Sequence, residues 1–375
     1  MRPALLPHLH RFWRDPRTVQ LGFDPAHAVV IEFAEPRHTR MLDLLDGRRT
    51  ERELLDTCQQ RLELDRETTR AVLKALITAR LVINAPALLP AELTAAAQER
   101  LIPEAVALAR QPETTDSPAQ TLRRRAAARV LVAGTGQLVG PIAIALVSAG
   151  VGHVDPAVNR PPLQAPATRT AGGPAAGRVG VSEPGEFDPP EPDRPALASV
   201  GTRAARVAAE TGQITATIER LAPGTDLSPV RPARATLVIR VGAPIPTALV
   251  TRSGRSSRVT VLTVSTRDAA VVIGPLVRPS QSPCGGCLDL HRQDRDPAWP
   301  ILAAQLAAGT TGTETCTVTT VLAGAACAVD EALAFLDGRP VRTAGATLEI
   351  TRPGQARRRS WPPHPRCGCR RDTTG

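Results

Sequence analysis

Tyrosine is absent from this 375-residue chain, and aromatic residues make up only 2% of it. A protein so poor in rings lacks the aromatic platform on which single-stranded nucleic acid stacks. Its cores must be filled by Ala, Val, Leu and Ile. Lysine is scarcer still. Lys74 stands alone in a combined Lys and Arg count of 46, so the positive charge is arginine. A net charge of +10 would point to nucleic acid, an anionic membrane or an acidic peptide. Abundant Ala, Arg, Pro and Gly together read as a coding bias, and a solvated arginine-rich surface accounts for the charge. No secretory segment is expected, because MRPALLPHLHRFWRDPR is interrupted by prolines and charges. Val130 to Gly152 is uncharged, but its glycines and Pro141 divide it into strand, turn and helix rather than a membrane span. The expectation is a cytoplasmic protein with no membrane partner.

With 42% hydrophobic residues, the chain is long enough for two or three domains. Residues 1–86 read as a small unit. TVQLGF from Thr18 and AVVIEF from Ala28 are β-type runs separated by Asp24-Pro25. Helical patterns follow over Arg37 to Leu45, after Thr50 with its capping-box partner Glu53, and after Asp65. A closing strand at 81–83 completes a winged-helix-like arrangement. Residues 87–128 form a connector, with its clearest helix at Ala91 to Leu108. From 129 onward an α/β pattern is expected, interrupted by a Pro/Gly-rich insertion over 155–195 that reads as loop. Further strands are expected at Ala235 to Val241, Val259 to Val264 and Ala270 to Ile273, and a helix at Val318 to Leu336.

Seven cysteines are present, and four fall in two tight pairs, Cys284-Gly-Gly-Cys287 and Cys367-Gly-Cys369. Without an export signal, this spacing favours metal over disulfides. Four thiolates complete a tetrahedral zinc site and leave no position for water, so the expected role is structural. Arg366, Arg370 and Arg371 would offset its negative charge. A redox pair is the weaker alternative, since neither pair is expected to open a helix after a strand. His291 and His364 lie near enough to substitute as ligands, while Cys58 and Cys327 read as core. The run VLVAGTGQLVG, with Gly134 and Gly136, is a strand entering a Gly turn and an apolar helix, the opening of a Rossmann-like unit. Its third fingerprint position falls on Val139, with Gly140 one residue late.

These motifs, with AGVGHVD at 149–155 and the AACAVDEALAFLDG helix, resemble the ThiF and ubiquitin-activating-enzyme superfamily of adenylyltransferases over about 130–370. Residues 1–86 resemble the PqqD-like element that binds leader peptides. Together they resemble the ThiF-like partner proteins of azole-forming peptide maturation, in which a YcaO-type cyclodehydratase performs the chemistry. The resemblance implies a Rossmann-like ThiF-type domain with a C-terminal four-cysteine zinc site, preceded by a PqqD-like α+β domain, in a fold often found as a homodimer. It also implies a nucleotide pocket at Gly134, Gly136 and Asp155, the last as the ribose ligand. Departures from the superfamily are clear. The strand TLVIRVGAP ends without the carboxylate that would hold magnesium, Asn159-Arg160 lies too close to Asp155, and no lysine follows Lys74. ATP with magnesium would be poorly held.

The expected function is therefore leader-peptide binding and partner recruitment. An extended peptide would join the strand at Val29, Val30 and Ile31, with Arg70, Lys74 and Arg80 receiving acidic side chains. The alternatives are an ATP-dependent adenylyltransferase acting on a peptide or carrier carboxylate, and a winged-helix nucleic-acid-binding protein. The latter is disfavoured because its third helix offers few base-reading side chains. Cys316 reads as a small buried side chain rather than a nucleophile.

Overall fold

The computed structural model describes residues 1–24, 28–111, 116–158, 197–242, 259–278, 283–308 and 315–367. Two compact units emerge. One gathers Met1–Arg129, Ala145–His153 and Asp330–Val341, and the other holds Val130–Ile144, Val154–Val329 and Arg342–Gly375.

In the first unit, β1 (Pro3–Leu5) pairs antiparallel with β5 (Val82–Asn84). Between them lies an antiparallel sheet of β2 (Arg11–Trp13), β3 (Thr18–Leu21) and β4 (Val29–Glu32), in the order β2-β3-β4. Strand alternation decides its faces: Val19 and Leu21 are buried, whereas Gln20 between them carries its amide to the Gly22 carbonyl. The expected helix after Phe33 forms as a 3-10 helix over Pro36–Leu44. The next, α1 (Glu51–Leu62), begins at the expected capping box, with Thr50 and Glu53 each accepting the other's backbone N–H. Asp65 caps α2 (Arg66–Thr78) in the same manner through the Thr68 N–H. Leu54, Cys58, Leu73 and Leu76 close the core against Val19, Leu21, Met41 and Leu42.

Two helices occupy the stretch expected to be a connector, α3 (Ala95–Arg110) and α4 (Pro118–Ala127). They pack through Leu101, Ala105, Leu108 and Leu122. The start of α4 is signalled by Ser117 and Gln120, a second capping box. Near its end Arg125 is 1% exposed. Its guanidinium donates to both Asp337 oxygens at 2.8 and 2.7 Å, to Glu104 Oε1 at 2.6 Å and to the Ala149 carbonyl at 3.0 Å.

The second unit carries a seven-stranded sheet in the order β12-β11-β10-β9-β8-β6-β7. Its strands are β6 (Arg129–Gly134), β7 (His153–Val158), β8 (Leu237–Val241), β9 (Thr260–Arg267), β10 (Ala270–Val277), β11 (Ala346–Arg352) and β12 (Gln355–Ser360). β6, β8 and β9 run parallel; β9 to β12 continue as an antiparallel meander. The helices are α5 (Val139–Ser148), α6 (Leu197–Leu221), α7 (Gly285–Arg295), α8 (Trp299–Ala308) and α9 (Val318–Leu336). Boundaries between the units fall inside β6, α5, β7 and α9. The β11–β12 hairpin and α6 to α8 are not expected from the sequence. Residues 159–196, most of the expected insertion, lie outside the described residues. One described helix, α9, is long and apolar enough to cross a membrane. It packs on the sheet so closely that a Cβ at Gly324 would lie 2.5 Å from Val271.

Candidate functional site

Three of the four paired cysteines come together. Cys284 Sγ is 4.0 Å from Cys287 Sγ and 3.5 Å from Cys367 Sγ, and none of the three is in a disulfide. Zn–S bonds of about 2.3 Å in a tetrahedron put sulfurs about 3.8 Å apart, between these two values. A disulfide needs about 2.05 Å. The cluster could hold a metal ion, and its soft donor set suits zinc. Cys369, the expected fourth ligand, lies outside the described residues.

The backbone corrects two parts of the sequence argument. Cys284 is the N-cap of α7, so the first pair does open a helix after β10. β10 ends at Val277 and α7 starts at Gly285, and the third thiol now carries the case for metal. Gly285 and Gly286 lie within the helix at ordinary negative φ, so glycine freedom is not what folds the chain over the cluster.

Neighbouring polar groups brace the cysteines instead of joining them. His364 Nδ1 accepts the Arg366 N–H, and its Nε2 donates to Asp294 at 2.7 Å. Both ring nitrogens are thus engaged, and His291 donates Nε2–H to the Pro362 carbonyl at 2.9 Å. Arg366 is drawn to Asp294 and not to the sulfurs. The hydrogen bond from His364, aided by Arg366, holds the Asp294 carboxyl below its ordinary range. Asp294 belongs to α7, and the His364 carbonyl accepts the Cys367 N–H. The network therefore pins the segment bearing Cys367 to the helix bearing Cys284 and Cys287.

At the carboxyl end of the parallel strands, Gly134 and Gly136 have φ of +145° and +99°. A Cβ at Gly134 would sit 1.8 Å from the Val241 carbonyl oxygen, so β6 and β8 can approach only because the residue is glycine. Gly140 instead faces Ile214 of α6. Asp155 lies at the third of six β7 residues rather than at the strand's end. It is buried, and its Oδ2 accepts the Val230 N–H at 2.7 Å. Arg240 occupies β8 beside Ala133, and burial pulls its guanidinium below the ordinary value. Asn159-Arg160 lies outside the described residues.

In the first unit, no strand among the described residues pairs with the outer edge of β4. Val29 and Ile31 pack on the core, and Val30 is 46% exposed on the other face. Arg70 and Lys74 are exposed one turn apart on α2, whereas Arg80 spends its guanidinium on the Gln111 carbonyl. Cys58 is buried in this core, and burial pushes its thiol up; Cys316 and Cys327 are half-buried.

No protein-family model and no curated protein matches the sequence. Solved structures do match in fold. E. coli MccB, solved with AMPCPP and selenomethionine MccA, aligns at TM-score 0.58 and 12% identity over 99% of both chains. The heterocyclase TruD aligns at 0.54 and 13% identity over 98% of this chain and 42% of its own. A heterocyclase in complex with substrate and cofactor aligns at 0.51 and 15% identity over 96% of this chain. This chain spans only 38% of that heterocyclase. The fold is thus the one MccB and these heterocyclases share.

Proposed function

We propose that this chain binds a leader peptide and presents it to a YcaO-type cyclodehydratase. Supporting this is the open edge of β4, whose alternating Val29, Val30 and Ile31 offer a row of backbone groups to an added strand. The residues 1–86 act as the PqqD-like recognition element, and exposed Arg70 and Lys74 receive acidic leader side chains. Zinc held by Cys284, Cys287, Cys367 and Cys369 staples the ThiF-like domain and takes no part in chemistry. The nucleotide pocket is degenerate. β8, with Arg240, ends at Val241 without a carboxylate to hold magnesium, and one Asp155 oxygen is engaged by the backbone.

The test is binding of labelled candidate leader peptides to the full chain. An Arg70→Ala/Lys74→Ala variant should lose about tenfold or more in affinity, as expected for two charged contacts of about 1 kcal/mol each. Unchanged affinity would remove this placement. The second reading, an ATP-dependent adenylyltransferase, is supported by the retained Gly134–Gly136 turn and would show as ATP–pyrophosphate exchange with those peptides.

A further inference from the structure

We infer that the β12 edge, with the arginines gathered around Trp361, is a docking strand for an extended acidic polypeptide. The inference concerns the second unit and stands whether or not the leader-binding role does. β12 ends the seven-stranded sheet, and no described strand covers its outer side. Every residue from Gln355 to Ser360 is exposed. Alternation places Arg357 and Arg359 on one face with Trp361. Arg358 lies on the other, where it donates to the Arg342 carbonyl and to Ser360 Oγ.

Arginine on an edge strand commonly serves only to prevent self-pairing. That explanation does not cover what surrounds Arg359. The indole of Trp361 is buried, with its N–H donated to Thr347, and three guanidiniums lie over it: Arg295 at 5.4 Å, Arg359 at 5.6 Å and Arg292 at 5.8 Å. They come from α7 and β12; burial first, and then the fields of Arg267 at the end of β9 and of Arg359, depress the basicity of Arg292. Asp289, 3.6 Å from Arg292, is the one carboxylate ion-paired with these arginines among the described residues, and Glu349 of β11 stands directly across from Arg357 in the ladder. Nearby Asp294 is committed to His364 and Arg366, and Asp296 accepts the Ala298 N–H. Converging like charges of this kind are relieved by an anionic partner. An added strand with acidic residues at every second position would set carboxylates beside Arg357 and Arg359 while using the free backbone row.

The probe is a labelled peptide of about twelve residues alternating Glu and Thr, long enough for one strand. Its binding to the full chain is followed by fluorescence anisotropy at low ionic strength. The unmodified chain should bind it more tightly than a block-ordered peptide of the same composition and more tightly than an oligothymidine of equal charge. Measured in an Arg70→Ala/Lys74→Ala background, which removes the acidic-peptide site proposed on the first unit, Arg357→Glu/Arg359→Glu should lose at least about tenfold and Arg358→Glu under about threefold. These side chains are exposed, and circular dichroism checks that the variants fold. Absence of binding, equal losses from Arg358→Glu and the double reversal, or a preference for the oligonucleotide would overturn the proposal.

Discussion

Replacing Arg125 with methionine should destabilise the first unit far more than the loss of one surface arginine would. The guanidinium makes four hydrogen bonds, two of them to an Asp337 side chain that is 0% exposed. Methionine fills most of the volume but leaves the Asp337 carboxylate buried with only Arg339 at 3.6 Å. Breaking a buried pair from one side costs about 3–5 kcal/mol, a large share of the roughly 5–15 kcal/mol that holds a domain. For a unit of this size the melting temperature should fall by roughly 10 °C or more. Most of that cost is the stranded charge rather than the lost contact. Arg125→Met combined with Asp337→Leu should therefore recover at least half of it, giving a coupling energy of at least about 2 kcal/mol in a double-mutant cycle. Denaturant unfolding, with hydrogen exchange in α3 and α4 to localise the loss, measures both quantities. Strictly additive costs, or a loss below about 1 kcal/mol, would refute the account of a desolvated, mutually dependent pair.

Cys287→Ser should remove bound zinc, measured by mass spectrometry of the purified chain, while Cys58→Ser leaves it in place; equal metal in both variants would exclude the thiol cluster as the site. Gly134→Ala should abolish the soluble fold because its Cβ would meet the Val241 carbonyl, whereas Gly140→Ala, with Ile214 at 3.4 Å, should be tolerated. Thermal melting separates the two. Glu53 and Asp65 are held below the ordinary carboxylate range, Glu53 by the Thr50 backbone and Asp65 by the Thr68 side chain. Folded values below unfolded ones give stability that is complete above about pH 4–5 and is lost as pH falls through the depressed values. Glu53→Gln/Asp65→Asn should flatten the acid limb of an unfolding curve followed by circular dichroism.

Local signals are readable where the chain settles its own backbone. Thr50 with Glu53 and Asp65 with Thr68 announce helix starts because each pair satisfies N–H groups only a few residues away. The run into Gly134 marks the strand and turn for a similar reason. Ser117 with Gln120 is an equal signal for α4, although the stretch around it reads as a connector. α7 escapes a sequence reading because Gly-Gly at its start argues against a helix by propensity, while the tertiary setting places Cys284 as its cap. The β11–β12 hairpin is obscured by QARRRS, a strand without an apolar face because its face is solvent.

By itself the sequence determined that this is an α/β chain with a capped helical N-terminal unit, a Gly turn and paired cysteines, since all of these rest on spacing within a few residues. Only the tertiary structure decided which groups meet across long separations. It brings Cys367 within 3.5 Å of Cys284, ties Arg125 to Asp337 212 positions later, and sets Arg292, Arg295 and Arg359 around one tryptophan. Desolvation is the physical reason. Whether an arginine is a solvated charge or an anchor depends on what burial leaves it to pair with, and local spacing does not record that.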